Sequence, residues 1–491
     1  MERSAGILLP IFSLPGEYGI GTLGKEARAF VDFLHSAGQR WWQILPVGPT
    51  VAGNSPYTSE STFAGNPLLI DPALLAGDGL LEEAELASAQ APNTGRIDYA
   101  ALHRARSTLL YQAYCRAREN AVIAEKVRDF AERTPWLRDY VLYRAAKRRF
   151  ENRPWFDWED PEIRRHEQAA LDRLAEEQAE LVEFYTYEQF WFFSQWEALK
   201  QYANGMDVRI IGDLPFYVSL DSADVWAERK EFLLDQEGRP SKVAGVPPDY
   251  FSEDGQLWGN PLYRWDAQKQ DGFGWWIRRV EGASKLFDAI RIDHFRGMES
   301  YWAVPAESKT AKNGIWEKGP GIDLLGVLVS WFPQITYIAE DLGILTDQVH
   351  ELRDRAGLPG MRVLEFAFSG PDNSYLPHNY RHDCVCYTGT HDNDTLAGWY
   401  TNAGKEELAF AQRYLGVSGA GETRKAVLRC GLGSVAQLFV AQIQDYLGLG
   451  SEARINVPGV AEGNWNWRLL PDQADGALAE EIRAMTQTYG R

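Results

Sequence analysis

Four carboxylates each close a short apolar run in this chain. Asp213 ends Arg-Ile-Ile-Gly-Asp, Asp293 ends Ile-Arg-Ile-Asp, Glu340 ends Tyr-Ile-Ala-Glu, and Asp392 follows Thr-Gly-Thr-His. Carboxyl groups brought together in pairs can cleave a glycosidic bond: one protonates the leaving oxygen while the other attacks or supports the anomeric carbon. Any single carboxylate after an apolar run reads equally well as a helix cap or a salt-bridge partner. Four in the same kind of position are harder to explain in that way.

The elements that must position them are apolar runs bounded by turn residues, at 6–14, 40–47, 208–218, 287–294, 335–341, 361–368, 383–392 and 438–445. The runs are continuous rather than alternating, as expected for parallel strands covered on both faces. Between the first two, Ala27, Phe30, Val31 and Leu34 form one face of a helix stopped by Gly38. The pattern predicts a (β/α)8 TIM barrel, an α/β fold whose strand C-termini converge on one mouth. Spacing is uneven: roughly 160 residues separate the second and third runs, where a simple barrel needs about 30 per βα unit. An insertion at about 75–205 reads as a helical subdomain, with Leu171, Leu174, Leu181 and Val182 at helical spacing. A second, at about 219–285, is rich in Gly, Pro and Trp and reads as long loops, which in compact domains usually carry function. With no repeat, low-complexity tract or linker to divide it, 1–491 reads as a single catalytic barrel with large, mostly helical insertions and no C-terminal β-sandwich.

Composition narrows the ligand. A net charge of −19 repels phosphate backbones and anionic lipid surfaces, which argues against nucleic acid or a membrane as partner and leaves a neutral sugar unaffected. Aromatic residues reach 13%, with 18 tryptophans; such rings stack on the C–H faces of sugars but also fill cores. Cys115, Cys384, Cys386 and Cys430 lack zinc-site spacing and read as free thiols. The first apolar run is too short for a signal peptide and none reaches membrane-spanning length, so the expected location is cytoplasmic. Gly19-Ile-Gly21-Thr-Leu-Gly24 has dinucleotide-binding spacing, yet no acidic residue ends the next strand, and a structural turn is expected. With no His-Glu-x-x-His or calcium-loop motif, no metal or organic cofactor is expected.

Three segments resemble the catalytic motifs of the amylomaltase family of 4-α-glucanotransferases, relatives of the α-amylases: Arg291-Ile-Asp293-His294-Phe-Arg296-Gly, Ala339-Glu340-Asp341-Leu-Gly and Thr390-His391-Asp392-Asn393-Asp394. The resemblance extends to Ser55-Pro56-Tyr57, Phe63-Ala-Gly-Asn-Pro67, Gly212-Asp213-Leu-Pro-Phe-Tyr-Val, Pro247-Pro-Asp249-Tyr-Phe-Ser252, Leu257-Trp258-Gly-Asn-Pro261 and Gly463-Asn464-Trp-Asn-Trp-Arg468, nearly the whole chain. It implies transfer of 1,4-α-glucan segments between maltooligosaccharides, amylose or related glucans, as donor and acceptor, by a retaining mechanism. Asp293 is then the nucleophile, Glu340 the acid/base and Asp392 the carboxylate that stabilises the transition state. Arg291 can keep Asp293 ionised, while Glu340 needs a raised pKa, expected from the charges of Asp293 and Asp392. A retaining pair implies carboxyl groups about 5–5.5 Å apart. By the same resemblance His294 and His391 bind sugar hydroxyls, though each also reads as a structural hydrogen-bonder, and Tyr57, Asp213, Asp249, Glu253, Phe366 and Asn464 line the substrate, with Phe366 also readable as barrel core and Asp249, Glu253 and Asn464 as ordinary loop residues. Trp258 and the loop 247–255 would cover the acceptor side and limit attack by water. A glucan hydrolase using the same carboxylates, or a noncatalytic glucan-binding protein, stays open at this point.

Overall fold

The computed structural model describes residues 2–51, 53–248, 252–343 and 345–491. Twelve strands, numbered along the chain, occur among them: β1 Ser4–Leu8, β2 Trp41–Gln43, β3 Arg209–Leu214, β4 Lys242–Val246, β5 Gln256–Pro261, β6 Ala289–Ile292, β7 Ser300–Pro305, β8 Ile315–Lys318, β9 Thr336–Ala339, β10 Gly360–Val363, β11 Cys384–Tyr387 and β12 Leu438–Gln442. Eight of these close a barrel in the order β1-β12-β11-β10-β9-β6-β3-β2, every pairing parallel. Each apolar run anticipated above holds one barrel strand, and the α/β barrel stands. Register differs at the first: β1 begins at Ser4 and stops at Leu8, because Pro10 brings no amide hydrogen to the ladder and a 3-10 turn follows at Ile11–Ser13.

Between β2 and β3 the chain forms helices, among them Tyr99–Ala117, Leu137–Arg149 and the 27-residue Ala179–Gly205. The last buries Phe184, Tyr187, Trp191, Phe192, Trp196 and Leu199 along one side. It is also stitched to the loop after β2: the Gln189 amide accepts from Gly65 N and donates to Gly65 O (2.8 and 2.9 Å), and Gln195 holds Asp71 in the same way (2.7 and 3.1 Å). That loop carries Tyr57, so the insertion braces the mouth of the barrel.

The stretch 219–285 departs from the expected loops. It contains helices Ala223–Ala227, Trp265–Gln270 and Gly274–Leu286 together with β4 and β5. These strands join β7 and β8 in an antiparallel sheet of order β5-β4-β7-β8. No alternation announced it, since β4 is short, contains Gly245 and changes register between Val243 and Gly245. Its stabilising partner, β7, lies beyond a barrel strand in sequence.

Tryptophan is largely structural here. Trp42, Trp155, Trp158, Trp196, Trp226, Trp275 and Trp276 are all fully buried, so most of the aromatic excess builds core. The glycine motif is structural too. A Cβ on Gly21 would fall 1.9 Å from the Ile11 carbonyl oxygen, and one on Gly24 would fall 2.0 Å from an Asp71 carboxylate oxygen. Asp71 accepts from the Thr22 hydroxyl (2.5 Å) and caps the helix Pro72–Gly77, so a carboxylate occupies the turn where a phosphate would need to approach. Among the described residues no helix is long and apolar enough to cross a membrane.

Candidate active site

The register of β3 against β6 sets Asp213 directly beside Arg291, and Asp293 follows Arg291 by two residues on the same strand face. One guanidinium nitrogen of Arg291 donates to both Asp213 oxygens (2.7 Å each) and to Asp293 Oδ1 (3.0 Å). The Tyr57 hydroxyl donates to Asp213 Oδ2 at 2.5 Å. Asp213 and Arg291 are buried, whereas the Asp293 side chain keeps 28% of its surface open at the mouth. Asp213 therefore spends its charge on Arg291 and Tyr57, and Asp293 is the member of this trio that opens to the mouth.

Glu340 leaves β9 next to β6, and its carboxylate accepts from the His294 backbone N–H at 2.8 Å. His294 sits at φ +47°, a left-handed conformation that histidine adopts more readily than most residues. This bend turns its amide toward Glu340, while Phe295 N donates to the Glu340 carbonyl (3.2 Å), so the ends of β6 and β9 are tied together. Burial pushes the Glu340 carboxyl well above its ordinary range; Arg291 opposes the shift, and the charges of Asp293 and Asp341 add to it. Burial, rather than neighbouring charge, leads, and Asp341 rather than Asp392 is the next carboxylate after Asp293. Asp293 is also raised by burial, with Arg291 again opposing. Among the described residues Arg291 hydrogen-bonds Asp293 and not Glu340, so the proton shared by this pair rests on Glu340 and the negative charge on Asp293.

Asp392 stands past β11 on a turn closed by Asn393 Oδ1, which accepts from Thr390 N and Thr390 Oγ1 (3.0 Å each). Its side chain is 44% exposed; Asn456 Nδ2 donates to Oδ1 at 2.6 Å, and His391 Nε2 lies 3.4 Å from Oδ2. The His391 ring stacks on Tyr57, centroids 5.1 Å apart. Burial lowers the pKa of both mouth histidines, that of His294 to about 4 with help from Arg296, and leaves the imidazoles neutral. Buried His294 Nε2 has no hydrogen-bond partner among the described residues.

Farther out, Trp258 on β5 is 39% exposed and meets the His294 ring edge-on at 4.8 Å. Glu253 is exposed in the β4–β5 turn, and Asp249 lies outside the described residues. Phe366 is 39% exposed on the 3-10 turn after β10, which overturns its reading as barrel core. Asn464 spends its amide on its own loop: Oδ1 accepts from Val457 N (2.9 Å) and Nδ2 donates to the carbonyls of Val460 (2.8 Å) and Val457 (3.3 Å). Two residues of the site escaped the sequence reading. Trp465 packs 5.9 Å from both Tyr57 and His391 and lies inside a motif already singled out. Asn456 follows no strand, and nothing local marks it. No group of three or more metal-ligating side chains gathers among the described residues.

A parallel barrel with acidic side chains at its C-terminal mouth, one fastened to an arginine and one whose carboxyl burial pushes well above its ordinary range, has the arrangement that carboxylate enzymes of glycosidic bonds use. The family model described as 4-alpha-glucanotransferase matches residues 9–473. The 4-alpha-glucanotransferase of Thermus thermophilus is 48% identical over 502 residues, spanning 100% of this chain and 99% of the relative; that of Aquifex aeolicus is 45% identical over 493 residues, spanning 100% and 99%. Amylomaltase from Streptococcus agalactiae, solved in complex with acarbose, matches with a TM-score of 0.97 at 37% identity over 100% of both chains. The chain belongs to the 4-alpha-glucanotransferase family.

Proposed function

We propose that this protein moves segments of 1,4-α-glucan from a donor such as a maltooligosaccharide or amylose to the 4-hydroxyl of glucose or another glucan, by double displacement. Asp293 attacks the anomeric carbon as the bond to the leaving O4 breaks and Glu340 delivers its proton to that oxygen. A covalent glycosyl-enzyme results. The ionised Glu340 then takes the proton of the acceptor 4-hydroxyl, whose oxygen attacks the same carbon and releases Asp293, so configuration is retained over the two steps. Asp392 stabilises positive charge on the sugar ring in both transition states, and Tyr57, His294 and His391 grip the donor hydroxyls, while buried Asp213 holds Tyr57 and Arg291 in place rather than meeting the sugar. Trp258 and Phe366 offer exposed aromatic faces for neighbouring sugars. Asp249 and Glu253 belong to the acceptor-side loop in this reading.

The single observation that carries the assignment is the Arg291–Asp293 hydrogen bond beside a buried Glu340, which separates nucleophile from acid. The choice of transfer over hydrolysis rests on family membership, with the β4–β5 hairpin limiting productive attack by water. A net charge of −19 and four unpaired thiols suit a cytoplasmic enzyme without nucleic-acid partners. Incubation with maltotriose tests the reaction. Transfer yields glucose and a ladder of longer chains at a nearly constant number of reducing ends. Rising reducing ends without longer chains would make the protein a hydrolase, and no turnover would make it a binding protein.

A further inference from the structure

We propose that Asn456, backed by Arg454, is the positioning residue that aims the Asp392 carboxylate; the inference rests on the reading of Asp392 as transition-state stabiliser. Unlike Asp213 and Asp293, Asp392 draws no side-chain support from an arginine on a barrel strand among the described residues. It stands beyond the end of β11 on a tight turn, with nearly half of its side chain exposed. Its hold comes from a segment that follows the last barrel strand and doubles back. Asn456 Nδ2 donates to Asp392 Oδ1 (2.6 Å), Asn456 N donates to the His391 carbonyl (3.2 Å), and Arg454 donates to the Asp392 carbonyl (2.5 Å). Arg454 Nε also donates to the Asn456 carbonyl at 2.7 Å, so one guanidinium grips both sides of the contact.

The rest of the segment keeps this clamp in place. Asn464 closes the Val457–Val460 turn by its side-chain amide, and Trp465 N donates to the Ile455 carbonyl (2.8 Å) before its ring packs on Tyr57 and His391. A neutral amide is the right donor for this task. It fixes one carboxylate oxygen without cancelling the charge that the sugar ring must feel, as a guanidinium would, and leaves the mouth-facing lone pairs for hydroxyls. Fixing that oxygen in advance removes the reorganisation otherwise needed as ring charge develops, a contribution to the transition state rather than to substrate binding.

The chemistry predicts an inverted order of variants. Asn456→Asp has the same shape but sets a carboxylate oxygen against a carboxylate, whereas Asn456→Ala only removes the donor. On maltotriose, Asn456→Ala is expected to lower kcat about 10–100-fold with KM changed less than about threefold, Asn456→Asp to lower it further, and Arg454→Met to act in the same direction more weakly. A residue that merely fills space would show the reverse, with the isosteric Asp variant the more active. Overturning outcomes are an Asp variant as active as the Ala variant or better, a loss confined to KM, or unfolding of the isosteric variant seen by calorimetry. Asp392→Asn is the control that separates the two claims. If it stays active, the stabiliser role itself fails; if it is inactive while Asn456→Asp matches the parent enzyme, only the clamp fails.

Discussion

Arg291 stands on β6 beside its partner Asp213 on β3, whereas Trp258 stands on β5 of a sheet that shares no strand with the barrel. On the first side of the mouth the central contacts follow from strand geometry: parallel register brings Asp213 level with Arg291, and Asp293 follows Arg291 by two residues on the same face. On the second side, Trp258 and Glu253 are exposed on the hairpin of β4 and β5, and Asp392 is gripped by a loop contributed from elsewhere in the chain. The contrast teaches a division of labour. In the proposed mechanism, bond making and breaking falls to side chains fixed by the closed barrel, and the choice of what attacks falls to the inserted segments around it.

The largest effect expected from breaking the barrel side is that of Glu340→Gln, which should lower transfer about 10³–10⁴-fold through loss of proton delivery. An activated donor such as a glycosyl fluoride, whose leaving group needs no proton, should restore the first half-reaction in that variant. Next comes Arg291→Met, which strands Asp213 and Asp293 as buried, uncompensated carboxylates. Activity should collapse and stability should fall by about 3–5 kcal/mol, read by denaturant unfolding. On the hairpin side, Trp258→Ala should cost about tenfold or less in transfer, raise the hydrolysed fraction of product and leave the melting temperature nearly unchanged.

Much of the barrel side was legible in the sequence because its signals are local. A strand followed by a carboxylate marks both the element and the group, and Arg291-Ile-Asp293 puts guanidinium and carboxylate on one face by the two-residue period alone. The β5-β4-β7-β8 sheet was not legible, since its strands are short, bulged and paired across an intervening barrel strand. Asn456 was hidden for the same reason: its partner Asp392 is distant in sequence and neither sits in a periodic element. Burial misled in the opposite direction at Phe366, an apolar residue after a strand that turns outward to the mouth.

The smallest effect expected is thermodynamic. Burial raises the folded-state pKa of Glu340, so the folded protein holds this proton where the unfolded chain has lost it. That contribution to stability is complete below the unfolded pKa and is lost as pH rises through the folded value. Glu340→Gln removes the dependence, and its Oε1 can still accept from His294 N. The variant should melt above the parent at pH 8, with a smaller gap at pH 5. In the pH–rate profile, the acid limb reports protonation of Asp293 and the alkaline limb loss of the shared proton from Glu340. The first half-reaction of Glu340→Gln on a glycosyl fluoride should keep the former and lose the latter.

The most direct test of the two-carboxylate assignment is to trap the intermediate. Glu340→Gln supplied with an α-maltosyl fluoride forms the glycosyl-enzyme but lacks the base that activates the acceptor, so the adduct should accumulate. Digestion and mass spectrometry should find one maltosyl group on the peptide containing Asp293, absent in Asp293→Asn. A sugar on Asp392 or Asp213, or rapid turnover without any adduct, would contradict the account.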